Sequence, residues 1–211
     1  MDRNQKILDL MGLAPVIPVL VIEDVDQAVP LAQALVAGGL RVLEITLRTP
    51  VALECIERIG QQVPGAIVGA GTVNRPIDAD AARSVGAQFL VSPGSTLALL
   101  DEMDKTGLPY LAGAATASEV LGLLERGITA VKFFPAEPAG GVAYLKALGG
   151  PLPDIRFCPT GGIDPVKAKQ YLALPNVPCV GGSWLVPKEA LASGDYARIE
   201  ALAREAASLK A

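Results

Sequence analysis

Apolar and polar positions along the chain follow two rhythms that alternate roughly every 25 residues. Short runs rich in Val, Ile and Leu predict strands over 16–22, 41–48, 66–73, 89–94, 110–116, 130–136, 156–162 and 177–185. Between them, apolar residues recur at helical spacing, for example over 25–37, 50–62, 118–126 and 164–172, and a last helix is expected over 196–210. Ser118 precedes one apolar helical run and reads as its cap; Asp164-Pro165 opens another, with Pro suited to a first helical turn. Eight strands, each followed by a helix, predict an α/β fold: a closed parallel (β/α)₈ TIM barrel with a short N-terminal helix, in a single domain over 1–211. About 250 residues is usual for such a barrel, so the loops must be short. The runner-up is an open doubly wound sheet, but no GxGxxG follows the first strand.

Composition agrees with a doubly covered parallel sheet: 51% of the residues are hydrophobic and only 19% charged. A subunit interface would also absorb such apolar surface. No apolar run is long enough to span a membrane, and the charged, amphipathic start MDRNQKILDL does not read as a signal segment. The expectation is a soluble, cytoplasmic protein with no membrane partner. Net charge is −4 with no basic cluster, so no nucleic-acid partner is expected. The three cysteines, Cys55, Cys158 and Cys179, lack metal or redox spacing. Histidine is absent, which excludes a His-assisted nucleophile and a His-ligated zinc. Acid–base work falls to Glu, Asp, Lys, Tyr, Cys or water.

In a barrel of this kind chemistry sits where the strands end. In the second strand, RVLEITLR, residues Glu44, Thr46 and Arg48 share one parity, which predicts that they point inward. A structural Glu–Arg ion pair also fits. The third strand, AIVGAGTV, has small residues that let a ligand approach its backbone, and Thr72 near its end; tight packing around glycine fits as well. In the sixth, Lys132 is set among Val131, Phe133 and Phe134. Desolvation favours a neutral amine, the form a Schiff-base nucleophile needs. A structural pair with Glu44 is compatible with that role. The seventh and eighth runs end in Thr160-Gly161-Gly162 and Gly181-Gly182-Ser183. Glycine turns at these two strand ends, beside a helix N-terminus, commonly hold phosphate. Each is also an ordinary tight turn.

The stretches ALVAGGLRVLEITLRT, IVGAGTV, FLVSPG, VKFFPAE, RFCPTGGI and GGSWLVP together resemble the KDPG/KHG aldolase family over nearly the whole chain. The resemblance implies a class I aldolase cleaving 2-keto-3-deoxy-6-phosphogluconate (KDPG) to pyruvate and glyceraldehyde 3-phosphate, with no metal or cofactor. It implies Lys132 as the imine-forming lysine and Glu44 as general acid–base. Arg48 and Thr72 match carboxylate-binding positions, and Pro93 and Phe134 match wall positions. Thr160, Gly161, Gly162, Gly182 and Ser183 match the substrate and phosphate loops. It further implies a homotrimer acting in the Entner–Doudoroff route. Ala112 and Ala117 stand where family members often carry proline, a departure expected to soften the loop after the fifth strand. Within the family, 4-hydroxy-2-oxoglutarate or the galactonate epimer is the alternative substrate. More distant readings are a sugar-phosphate isomerase or decarboxylase barrel, or a metabolite-binding barrel with an inert lysine.

Overall fold

Strands β1 (Val16–Leu20), β2 (Val42–Thr46), β3 (Ile67–Gly71), β4 (Leu90–Val91), β5 (Tyr110–Ala114), β6 (Ala130–Phe133), β7 (Arg156–Pro159) and β8 (Val180–Gly182) form one parallel sheet. Its order is β7-β6-β5-β4-β3-β2-β1-β8 in the computed structural model, which describes residues 2–209. A bridge between Thr160 and Gly181 and a hydrogen bond from Phe157 N to Asn176 O (2.8 Å) bring β7 back to β8. The sheet therefore curls into a nearly closed barrel.

All eight expected strands exist, and each is shorter than its apolar run. Beyond the regular ladder, single hydrogen bonds continue the pairing, such as Leu47 N to Gly71 O (2.8 Å) and Thr160 N to Phe133 O (2.9 Å). The residues past them bend into loops at the strands' C-terminal ends.

The surrounding helices are α1 (Arg3–Gly12), α2 (Ala28–Ala37), α3 (Ala52–Gln62), α4 (Pro76–Ser84), α5 (Leu97–Thr106), α6 (Ala117–Leu124), α7 (Gly141–Gly149), α8 (Pro165–Leu172), α9 (Lys188–Ser193) and α10 (Tyr196–Ala207). A 3₁₀ turn at Val25–Gln27 precedes α2, so the helix expected from 25 is split. The expected end of the last helix at Lys210 lies outside the described residues. Asp164 caps α8 as predicted, accepting from Lys167 N at 2.8 Å, with Pro165 in the first turn. The cap predicted at Ser118 is displaced to Thr116. The Thr116 hydroxyl accepts from Glu119 N, and Glu119 reaches back to Thr116 N, so two N–H groups are satisfied at once and Ser118 lies inside α6. Ala112 is buried within β5 and Ala117 is the first residue of α6, so both lie outside the loop that joins them.

Two apolar layers follow from the alternation of strand side chains. One set, including Leu43, Ile45, Val131 and Phe157, packs against the helices. The other, including Ile17, Val42, Phe89, Val91, Leu111, Ala130 and Cys158, fills the barrel together with Ile7 and Met11 of α1. Helix α1 thus closes the end where the strands begin. Its polar side chains fasten it there: Asn4 exchanges hydrogen bonds with Thr129 (2.7 and 2.9 Å), and Arg3 pairs with Asp104 at 3.0 Å. So narrow a barrel needs glycine on its inner wall. A Cβ at Gly69 would lie 2.5 Å from the Phe89 ring, closer than packing allows. The opposite end, where the strands finish, carries the buried charge.

Candidate active site

Glu44 of β2 and Lys132 of β6 meet across the interior. Lys132 Nζ donates to Glu44 Oε1 at 3.0 Å, with the two residues 5% and 3% exposed. Parity turns both inward, onto the apolar floor of Phe89, Val91 and Leu111. Desolvating two charges is expensive, and their mutual contact compensates only while both are present. Glu44 thus pairs with Lys132, and the alternative Glu–Arg pair with Arg48 does not form. The Glu44 carboxylate is seated against Gly71, where a Cβ would lie 2.2 Å from Oε1. Above the amine, the Phe134 ring centre is 5.6 Å from Nζ, within cation–π range.

Thr72 follows Gly71 directly. It is half-buried and has φ +58°, and is the one non-glycine residue with positive φ among the described residues. Such a conformation costs about 1–3 kcal/mol and tends to occur at functional sites. Thr46, expected to point inward with Glu44, is buried and donates its hydroxyl proton to Leu20 O of β1 at 2.8 Å. The strand expected over 41–48 requires a correction at its end. The strand stops at Thr46, so alternation does not reach Arg48, which is exposed in the following turn. Among the described residues no carboxylate pairs with it.

Pro93, half-buried beyond β4, packs its backbone on Gly113, the register neighbour of Lys132. A Cβ at Gly113 would fall 2.2 Å from the Pro93 carbonyl carbon. Ser92 and Ser95 clasp the same glycine: Gly113 N donates to Ser92 Oγ (3.3 Å) and Ser95 Oγ donates to Gly113 O (2.9 Å). Thr160 is buried at the end of β7 beside Gly181 of β8. The turns containing Gly161-Gly162 and Gly182-Ser183 are therefore adjacent at the open end, with Ser183 exposed. Gly161 and Gly162 have φ +105° and +76°, a left-handed geometry that favours glycine. They lead into the N-terminus of α8.

Three polar residues beside this turn were not singled out from the sequence. Glu137 accepts from the Tyr171 hydroxyl (2.6 Å) and pairs with Lys167 (2.9 Å). These two contacts hold its carboxyl below the usual range. Burial, and then Glu137, push the Tyr171 phenol well above its ordinary value, so it stays a donor. Glu137 ends the VKFFPAE stretch, and Lys167 and Tyr171 are four apart on α8. Those positions were the available signal, but their meeting depends on the tertiary fold.

At the closed end Arg3, Asp104, Tyr110 and Arg126 line a second crevice. Its charges pair among themselves, Arg126 with Asp101 and Asp104 at 2.8 Å each. Among the described residues no helix is long and apolar enough to cross a membrane.

The family description "KDPG and KHG aldolase" matches residues 7–202 of this chain. The chain is similar to the 2-dehydro-3-deoxy-phosphogluconate aldolase of Dickeya dadantii, with 54% identity covering 93% of this chain and 92% of that protein. The crystal structure of the 2-keto-3-deoxy-6-phosphogluconate aldolase of Zymomonas mobilis ZM4 with 3-phosphoglycerate superposes with a TM-score of 0.92 at 50% identity, covering 98% and 97% of the two chains. The KDPG aldolase of Legionella pneumophila, solved with pyruvate captured at low pH as a covalent carbinolamine intermediate, superposes with a TM-score of 0.93 at 43% identity, covering 99% of each chain.

Proposed function

From the premise that the chain belongs to the KDPG and KHG aldolase family, we propose that it is a class I aldolase cleaving KDPG to pyruvate and glyceraldehyde 3-phosphate. The observation that carries this reading is the buried Lys132–Glu44 contact of 3.0 Å at the open end of the barrel.

In this mechanism Lys132 passes a proton to Glu44 and its neutral amine attacks the C2 ketone. The carbinolamine loses its oxygen as water, with Glu44 supplying the proton, and leaves an iminium. Glu44, directly or through water, then takes the C4 hydroxyl proton. The C3–C4 bond breaks, its electron pair moves into the iminium, and glyceraldehyde 3-phosphate departs. Protonation of the resulting enamine at C3 and addition of water at C2 release pyruvate and the free amine. No step needs a metal or cofactor.

Arg48 and Thr72 hold the pyruvyl carboxylate in this reading, Arg48 by a two-point guanidinium contact that lysine does not reproduce. Arg48 is exposed and has no ion-pair partner among the described residues, which leaves the guanidinium available. Pro93 and Phe134 are walls beside the imine. Thr160, Gly161, Gly162, Gly182 and Ser183 receive the distal chain and phosphate through N–H and hydroxyl donors. The reading extends, by family resemblance, to a homotrimer and, from length, charge and hydropathy, to one domain per chain and a cytoplasmic location with neither nucleic acid nor membrane as partner.

The test is pyruvate release from KDPG by the purified protein in the presence of a chelator, followed by coupled reduction of the pyruvate. Turnover is expected. Ligand binding without cleavage would move the protein to the metabolite-binding reading.

A further inference from the structure

The glycine turn after β7 is gripped carbonyl by carbonyl. Thr160 O accepts from Ala136 N (2.8 Å), Gly161 O from Glu137 N (3.2 Å), and Gly162 O from Lys167 Nζ (3.1 Å). In a trans peptide the C=O and the next N–H point to opposite sides. Fixing these three carbonyls therefore turns the N–H groups of Gly161, Gly162 and Ile163 away from those partners. Successive N–H groups of a turn are the kind of donors from which anion-binding concavities are built.

The third grip comes from a side chain. Lys167 is held by Glu137 (2.9 Å), and Glu137 by the fully buried Tyr171 (2.6 Å). Glu137 also abuts the turn directly, since a Cβ at Gly162 would lie 2.9 Å from its Cγ. The chain of contacts joins the β6–α7 loop, the turn and α8 into one unit. Lys167 is occupied by a carboxylate and a carbonyl, so it acts here on the turn and is not a free cation.

We propose that Glu137, Lys167 and Tyr171 are positioning residues for phosphate recognition, holding the Thr160–Gly162 turn in the geometry that receives the substrate's phosphoryl group. The proposal rests on the reading that this turn takes the phosphate. It assigns the three residues no contact with the reacting carbons.

The experiment compares KDPG with its unphosphorylated counterpart, 2-keto-3-deoxygluconate, in wild type, Lys167→Met and Tyr171→Phe. Lys167 is partly exposed, so its replacement keeps the test informative if Tyr171→Phe misfolds. The ratio of kcat/KM for the phosphorylated over the unphosphorylated substrate is expected to fall about ten-fold, the size of one lost hydrogen-bonding interaction. The change should lie in KM for KDPG. General damage to the fold would lower both substrates together and leave the ratio unchanged, and that result overturns the proposal. A wild-type enzyme with no preference for the phosphorylated substrate would overturn the phosphate reading itself, and the positioning role with it.

Discussion

Lys132 and Glu44 stand on strands separated by three others, yet their charged atoms lie 3.0 Å apart inside the barrel. A short barrel with glycine on its inner wall makes this possible. Gly71 leaves the space that the Glu44 carboxylate fills.

The pair predicts a split between activity and stability. Glu44→Gln keeps an acceptor for Nζ but removes the proton acceptor. It should fold, and steady-state cleavage should slow by about 10²–10⁴-fold. Glu44→Leu leaves the ammonium buried without a partner and should destabilise by about 3–5 kcal/mol in chemical denaturation. Wild-type turnover by the Gln variant would remove Glu44 from the mechanism.

Gly71→Ala tests the seat of the carboxylate. The added methyl would overlap Glu44 Oε1, so the carboxylate must leave the seat from which it meets Lys132. Overpacking of this kind costs about 1–3 kcal/mol. A fall in kcat beyond any loss of folded protein, measured on the same sample, is expected. Full activity would show that the carboxylate position is not critical.

Arg48 is exposed and makes no ion pair among the described residues, so its replacement should spare the fold. Arg48→Lys retains charge but loses the two-point contact. KM for KDPG should rise while the melting temperature changes little. Unaltered kinetics would contradict its assignment to the carboxylate.

Acid should act on the Glu137 cluster with a definite sign. Its carboxyl is held below the ordinary value of 4.5, chiefly by the Tyr171 hydroxyl and then by Lys167. A carboxyl depressed in the folded state contributes stability that is full above its unfolded value and is lost as pH falls through the folded one. The stability advantage of wild type over Tyr171→Phe should thus be constant near neutrality and shrink once pH drops below about 4.5. Thermal melts across pH check this; an advantage that grew toward acid would contradict the assigned partner.

Much of the barrel was legible because apolar runs alternate with helical segments, and in β2 the polarity itself separates the faces: Leu43 and Ile45 go to the helices, and Glu44 goes to the interior. The strand ends were not, because a period of two does not report where a parallel neighbour stops. That is why Arg48 was counted as part of a strand that ends at Thr46. At α6 the Thr116–Glu119 spacing carried the cap, and the Ser118 hydroxyl competed for the same reading. Lys132 and Glu44 were legible as the pair because few charges occupy apolar strands. The Tyr171–Glu137 contact joins residues 34 apart, and no local pattern announces it.

Imine formation on Lys132 is the central claim. The direct measurement is incubation with pyruvate and borohydride followed by peptide mass spectrometry. A reduced pyruvyl adduct on the peptide containing Lys132, absent in Lys132→Met, is the predicted result. Pyruvate binding with no adduct at Lys132 would contradict the class I mechanism.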